Sequence, residues 1–172
     1  TYFGVSANLQ DIVHAAHAYD VPVLVDEAHG VHIHFHEGLP MSAMQAGADM
    51  AATSVHKLGG SMTQSSILNV KGPRVSPKRV QTVISMLTTT STSYLLLASL
   101  DTARKQLALH GEEMLNFTIR LAEYARDQIN AIDGLYCMGR EILGHHEATY
   151  DLDPTKLLVH VRDLGLTGSE VE

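Results

Sequence analysis

One cysteine, Cys137, occurs in 172 residues. A single thiol excludes an internal disulfide framework and fits a protein that works in the reducing cytoplasm. No apolar run approaches the ~20 residues of a membrane span, and nothing resembles a signal peptide. Basic runs are missing too: 12 Lys and Arg stand against 19 Asp and Glu, a formal charge of -7. Such a chain has no electrostatic footprint for nucleic acid. There is no glycine-rich phosphate loop of the GxxxxGKS/T kind. The chain also lacks an initiating methionine and ends on SEVE without a closing element, so a piece of a longer protein is expected.

What is present is globular material, 45% hydrophobic and 18% charged, enough for one domain with a sizeable core. Periodicity predicts a helix over 8–19 with Asn8 as cap, and a buried strand over 21–25 ending at Asp26. A short helix over 40–46 should close at Gly47. Strands are expected at 50–54 and 66–70, and a helix at 77–87 with Ser76 as cap and Pro77 in its first turn. Two long helices, 93–109 and 112–132, are expected on either side of Gly111, the second burying Leu115, Ile119, Leu121, Ala122, Ala125 and Ile129. Further strands are expected at 135–138 and 156–161. Strands alternating with helices predict an α/β layer architecture.

The stretch VDEAHGVHIHFHEG, residues 25–38, crowds carboxylates and four histidines together. As a metal site it is poor. On an extended strand His32, His34 and His36 share a face, but the outer pair would lie roughly 13 Å apart, so no metal is assigned. As an Asp-Glu-Ala-His box it would serve an ATPase, which needs the phosphate loop that these residues lack. As the end of a buried strand in an open α/β sheet, Asp26 stands where such folds place ligand contacts. A pyridoxal phosphate enzyme needs an acid there for the ring nitrogen and a lysine on a neighbouring strand end.

The run ATSVHKLGGSMTQSS, residues 52–66, supplies that lysine as Lys57. The whole run resembles the cofactor-lysine signature of the bacterial ornithine/lysine/arginine decarboxylases, pyridoxal phosphate enzymes of the aspartate-aminotransferase fold (fold type I). The resemblance extends from TYFGV through VDEAHG to TTTSTSYLLLASLD at 88–101, and within the family it is strongest to the arginine decarboxylase branch.

The resemblance implies that residues 1–133 form the C-terminal part of the cofactor-binding major domain, with a mixed, mostly parallel sheet flanked by helices, and that 134–172 begin the next α/β segment. It implies Lys57 as the Schiff-base lysine, Asp26 as partner of the pyridine nitrogen, and Ala28 as the small residue against the ring face. Ser54 and His56 would hold the phosphate or the Schiff-base region. Thr89, Thr90 and Ser91 would reach the phosphate site of a partner subunit, which makes a homodimer or higher oligomer the expected state. His29 would face cofactor and substrate, and His32, His34 and His36 would edge the entrance. The expected reaction is decarboxylation of a basic amino acid (arginine, then lysine or ornithine) in polyamine metabolism. Glu27 and Glu37 are candidates for the substrate's distal charge. The rivals are an oxoamine synthase or aminotransferase-like enzyme, a DEAH-type ATPase, and a catalytically silent fragment.

Overall fold

The first elements follow local signals in the chain. The computed structural model describes residues 1–146 and 149–171. Strand β1 (Val5–Ser6) leads into helix α1 (Leu9–His17), where the Asn8 side chain accepts the Asp11 N–H at 3.2 Å and caps the helix. Strand β2 (Leu24–Asp26) starts later than the apolar pattern suggests. Pro22 has no N–H to give, and the Val23 carbonyl is taken by Asp49 and Met50 N–H groups at 3.0 and 3.2 Å.

After Asp26 the chain turns. Successive four-residue turns run from Glu27 to Gly30, Gly30 to Ile33 and His32 to Phe35, the last forming a 3-10 turn over Ile33–Phe35. The alternating histidines are therefore not on a strand, and the extended geometry expected for them is corrected. Helix α2 (Ala43–Ala46) begins three residues later than predicted because Ser42 and Gln45 form a capping box.

Strand β3 (Met50–Ser54) runs directly into the short helix α3 (Val55–Leu58), and β4 (Ser66–Val70) returns beside it. The sheet order is β2–β3–β4, with β2 parallel and β4 antiparallel to β3. By register, Val25, Ala51, Thr53 and Ile67 share one face. That face is covered by a cluster of Val13, Ala43, Ala48 and Ala51 and by a second of Val31, Val55, Ala103 and Leu107 that Ile67 joins. Leu24, on the other face, is 58% exposed.

Helix α4 (Pro77–Leu87) has the predicted bounds and the Ser76 cap, and buries none of its residues. Helix α5 (Tyr94–Asn130) is one helix of 37 residues, not two. Gly111, read as punctuation, lies buried inside it. A Cβ added there would stand 2.9 Å from Phe35 Cβ, so the glycine admits the 3-10 turn against the helix. Of the expected second stripe, Leu115 and Ala122 are buried, whereas Leu121 is exposed. No helix among the described residues is long and apolar enough to cross a membrane.

Beyond α5 the elements are short: β5 (Tyr136–Cys137), β6 (Asp151–Leu152), β7 (Val159–His160) and helix α6 (Gly168–Val171). β5 pairs with β7, and β6 pairs antiparallel with β1, so parallel pairing among the described ladders is confined to β2–β3. Arg126 of α5 ties this region down by donating to the carbonyls of Met138, Pro154 and Lys156 at 2.9, 3.1 and 2.9 Å. The β1–β6 pair carries the 151–156 segment back to the ends of β2 and β3.

Candidate active site

The parallel register sets Asp26, the last residue of β2, opposite Ala52 of β3. Five residues beyond Ala52, α3 presents Lys57. This helix is locked by Ser65, whose carbonyl accepts the N–H groups of Val55 and His56 at 3.1 and 3.2 Å. Gly59 closes it tightly, since a Cβ there would lie 2.7 Å from Val55 Cγ1 and 2.8 Å from the Val55 carbonyl oxygen. The glycine two residues after the lysine thus lets the end of α3 close against its own first residue.

Asp26, Ala28, His29 and Lys57 line one cavity of about 510 Å³, with Tyr2 and Asp153 also in its wall. The Asp26 carboxylate accepts one hydrogen bond, from the Ala28 N–H at 3.0 Å, and is otherwise exposed towards the cavity. Lys57 Nζ lies 3.2 Å from His29 Nε2. The His29 ring also meets Tyr2 edge to face, with centroids 5.0 Å apart. Burial lowers the His29 pKa, and the positive charges of Lys57, Lys156 and the Thr1 amino group lower it further, while Asp26 works the other way. An amine, a carboxylate and a small side chain around one hollow suit a planar, electrophilic ligand.

The other expected site residues are placed differently. His56 Nδ1 is bound to the Ser65 carbonyl at 2.8 Å, and neither His56 nor Ser54 lines the cavity. Thr89, Thr90 and Ser91 are exposed between α4 and α5, where the Ser91 N–H donates to Thr89 Oγ1 at 3.2 Å. Glu27 is buried in the cavity wall: Oε1 accepts the Ala43 N–H at 2.7 Å and braces the start of α2, while Oε2 lies 3.4 Å from His34 Nε2 without a hydrogen bond. Glu37 lines a neighbouring hollow of about 420 Å³.

The three alternating histidines do not edge an entrance as a set. His32 is buried against Asp153 at 2.8 Å, His34 faces Glu27, and His36 Nε2 meets Asn116 Oδ1 at 3.1 Å. Tyr2 and Asp153 were not foreseen as cavity residues. Asp153 arrives from 121 positions beyond His32 through the two-residue β6, which is too short for its pattern to signal.

The family described as "Orn/Lys/Arg decarboxylase, major domain" matches residues 1–170. The chain belongs to that family. It is 73% identical over its full length to an arginine decarboxylase of Halalkalibacterium halodurans and 66% identical to one of Bacillus subtilis. It spans about 35% of the length of each of these relatives. Among solved structures, the constitutive lysine decarboxylase of E. coli superposes with a TM-score of 0.69 at 22% identity, over 92% of this chain and 26% of that one. A NifS-like protein of Rickettsia africae gives 0.64 at 14% identity, over 93% and 41%. These two likenesses carry the fold, an α/β major domain of the fold-type I class.

Proposed function

We propose that this chain forms the cofactor-lysine part of a pyridoxal phosphate-dependent decarboxylase acting on a basic amino acid, with arginine the preferred substrate. The observation that carries the reading is the convergence of Lys57, Asp26, Ala28 and His29 on one cavity at the ends of two parallel-paired strands. The donors fit the group: Lys57 offers a primary amine for attachment, Asp26 an acid with open valence, and Ala28 a wall low enough for a flat ring. Once bound, pyridoxal phosphate supplies an electron sink for the pair released with CO2.

The chain's own residues do the rest. Asp26 keeps a proton on the ring nitrogen, placing charge where the transition state needs it. Ala28 lets the ring lie close. Ser54 and His56, outside the cavity wall, set the position of the helix that carries Lys57, and Thr89, Thr90 and Ser91 reach the phosphate site of a second copy, so the assembly is a homodimer or larger. Residues 1–133 belong to the cofactor domain, and 134–172 open the following segment. The amine product serves polyamine synthesis in the cytoplasm.

Arginine is placed first because the curated relatives named above are arginine decarboxylases. The test is a panel of arginine, lysine and ornithine given to the full-length protein with pyridoxal phosphate, scored for released CO2. Arginine should be turned over fastest; no CO2 from any of the three would sink the reading.

A further inference from the structure

His29 is held in a way that its place in the cavity wall alone does not require. The ring leaves the turn that follows β2, closed by the Gly30 N–H to Glu27 carbonyl bond of 2.9 Å, and its edge-to-face contact with Tyr2 fixes its tilt. Its Nε2 then falls 3.2 Å from Lys57 Nζ. A lysine amine in its charged form has donors only, so Nε2 must be the acceptor and the ring proton must sit on Nδ1. An imidazolium would have no lone pair to offer and would set two cations in contact.

The surroundings keep the ring in the accepting form. The charged groups facing it are Lys57 from α3, Lys156 from the segment after β6, the Thr1 amino group, and Asp26 from β2. Burial and the three cations favour neutral imidazole; Asp26 alone opposes them. Neutral imidazole beside a lysine is a base beside a nucleophile that cannot attack until it loses a proton.

We propose that His29 Nε2 is the proton acceptor that activates Lys57 for covalent capture of an aldehyde cofactor. The inference rests on Lys57 being the cofactor lysine. The ammonium of Lys57 gives one proton to Nε2, and the freed lone pair forms a bond to the aldehyde carbon. The two protons left on nitrogen depart with the carbonyl oxygen as water, and a carbon–nitrogen double bond remains. The proton on His29 then returns to that nitrogen, so the ring ends neutral and ready again. Because lysine is a far weaker acid than imidazolium, this transfer is uphill, and attack on the aldehyde draws off the small share of free amine it produces.

The experiment uses full-length protein freed of cofactor and given unphosphorylated pyridoxal, whose addition is followed by absorbance and mapped after borohydride reduction. Rates are taken from pH 5 to 9 for the natural protein, His29→Asn and His29→Gln, with folding checked by circular dichroism. The natural protein should react at Lys57 with an acid limb below the ordinary imidazole range. The variants should react about 100-fold more slowly, lose that limb, and recover in added imidazole. A folded variant that labels Lys57 at the natural rate and pH profile would overturn the proposal and leave Lys57 as the cofactor lysine. Slow labelling that keeps the acid limb and ignores imidazole would overturn it as well, by making His29 structural. Failure of Lys57 to react in the natural protein would remove the reading of the whole site.

Discussion

Two aspartates near the same sheet show how differently one side chain can be used. Asp49, just before β3, is 2% exposed and held by several partners: its Oδ2 accepts the Val23 N–H and pairs with His17 Nε2, both at 2.8 Å, and Arg74 Nη1 lies 3.7 Å from Oδ1. Burial alone would push its pKa up, but those hydrogen bonds and the Arg74 charge hold the carboxyl below its usual value. Asp26, at the end of β2, accepts one backbone hydrogen bond and opens onto the cavity. A buried carboxylate held by several partners fixes structure, whereas one left open onto a cavity is available to a ligand.

The largest effect should come from the open side of that contrast. Lys57→Ala should lower decarboxylation by roughly 10⁴-fold or more, because the attachment point is gone. Asp26→Ala should keep bound cofactor, visible by absorbance, yet lose roughly 10²–10³-fold in kcat. Its thermal midpoint should barely move. Near-natural turnover in Asp26→Ala would erase the distinction between the two aspartates.

Asp49→Ala should do the reverse. Removing it leaves the Val23 N–H and His17 Nε2 without their acceptor, while Arg74 keeps Asp20, at a cost of about 3 kcal/mol read from denaturant midpoints. The kcat of the protein that remains folded should stay within about twofold.

The pH dependence of stability sharpens the same comparison. Asp153 resembles Asp49: burial opposes its charge, but His32 and Thr155 outweigh it and keep its pKa below the ordinary carboxylate value. A depressed carboxylate contributes stability above its unfolded pKa and loses that contribution as pH falls through the folded pKa. The window therefore lies below about pH 4. Asp153→Asn should be less stable by about 2 kcal/mol at pH 7 and show a shallower acid dependence, measured as denaturant midpoint against pH. An unchanged acid limb would remove Asp153 from the set of structural acids.

The smallest effect concerns α5. Glycine to alanine inside a helix ordinarily gains about 1 kcal/mol. At Gly111 the new Cβ would press on Phe35, so Gly111→Ala should instead cost about 1 kcal/mol in thermal unfolding.

That glycine also marks where the chain was hard to read. Strands 50–54 and 66–70 and helix 77–87 match their predicted bounds, because turn residues and capping serines set them locally. Gly111 looked like a break since nothing nearby announces Phe35, 76 positions away, as its packing partner. The histidine stretch misled for a related reason. Alternation suggests a strand, but past Ala52, the partner of Asp26, β3 offers only Thr53 and Ser54 before it turns into α3, too little to carry a ladder to His32. Of the site, the chemistry of Asp26 and Lys57 could be read from two short motifs. Tyr2 and Asp153 could not, since a two-residue ladder between the chain's beginning and its end brings them in.

The most direct measurement is the identity of the lysine that carries the cofactor. Full-length protein incubated with pyridoxal phosphate should be reduced with borohydride, digested and mapped by peptide mass spectrometry. A pyridoxyl group is expected on Lys57 and should be retained in Asp26→Ala. A label on another lysine, such as Lys71 or Lys78, or no label in folded protein, would contradict that assignment.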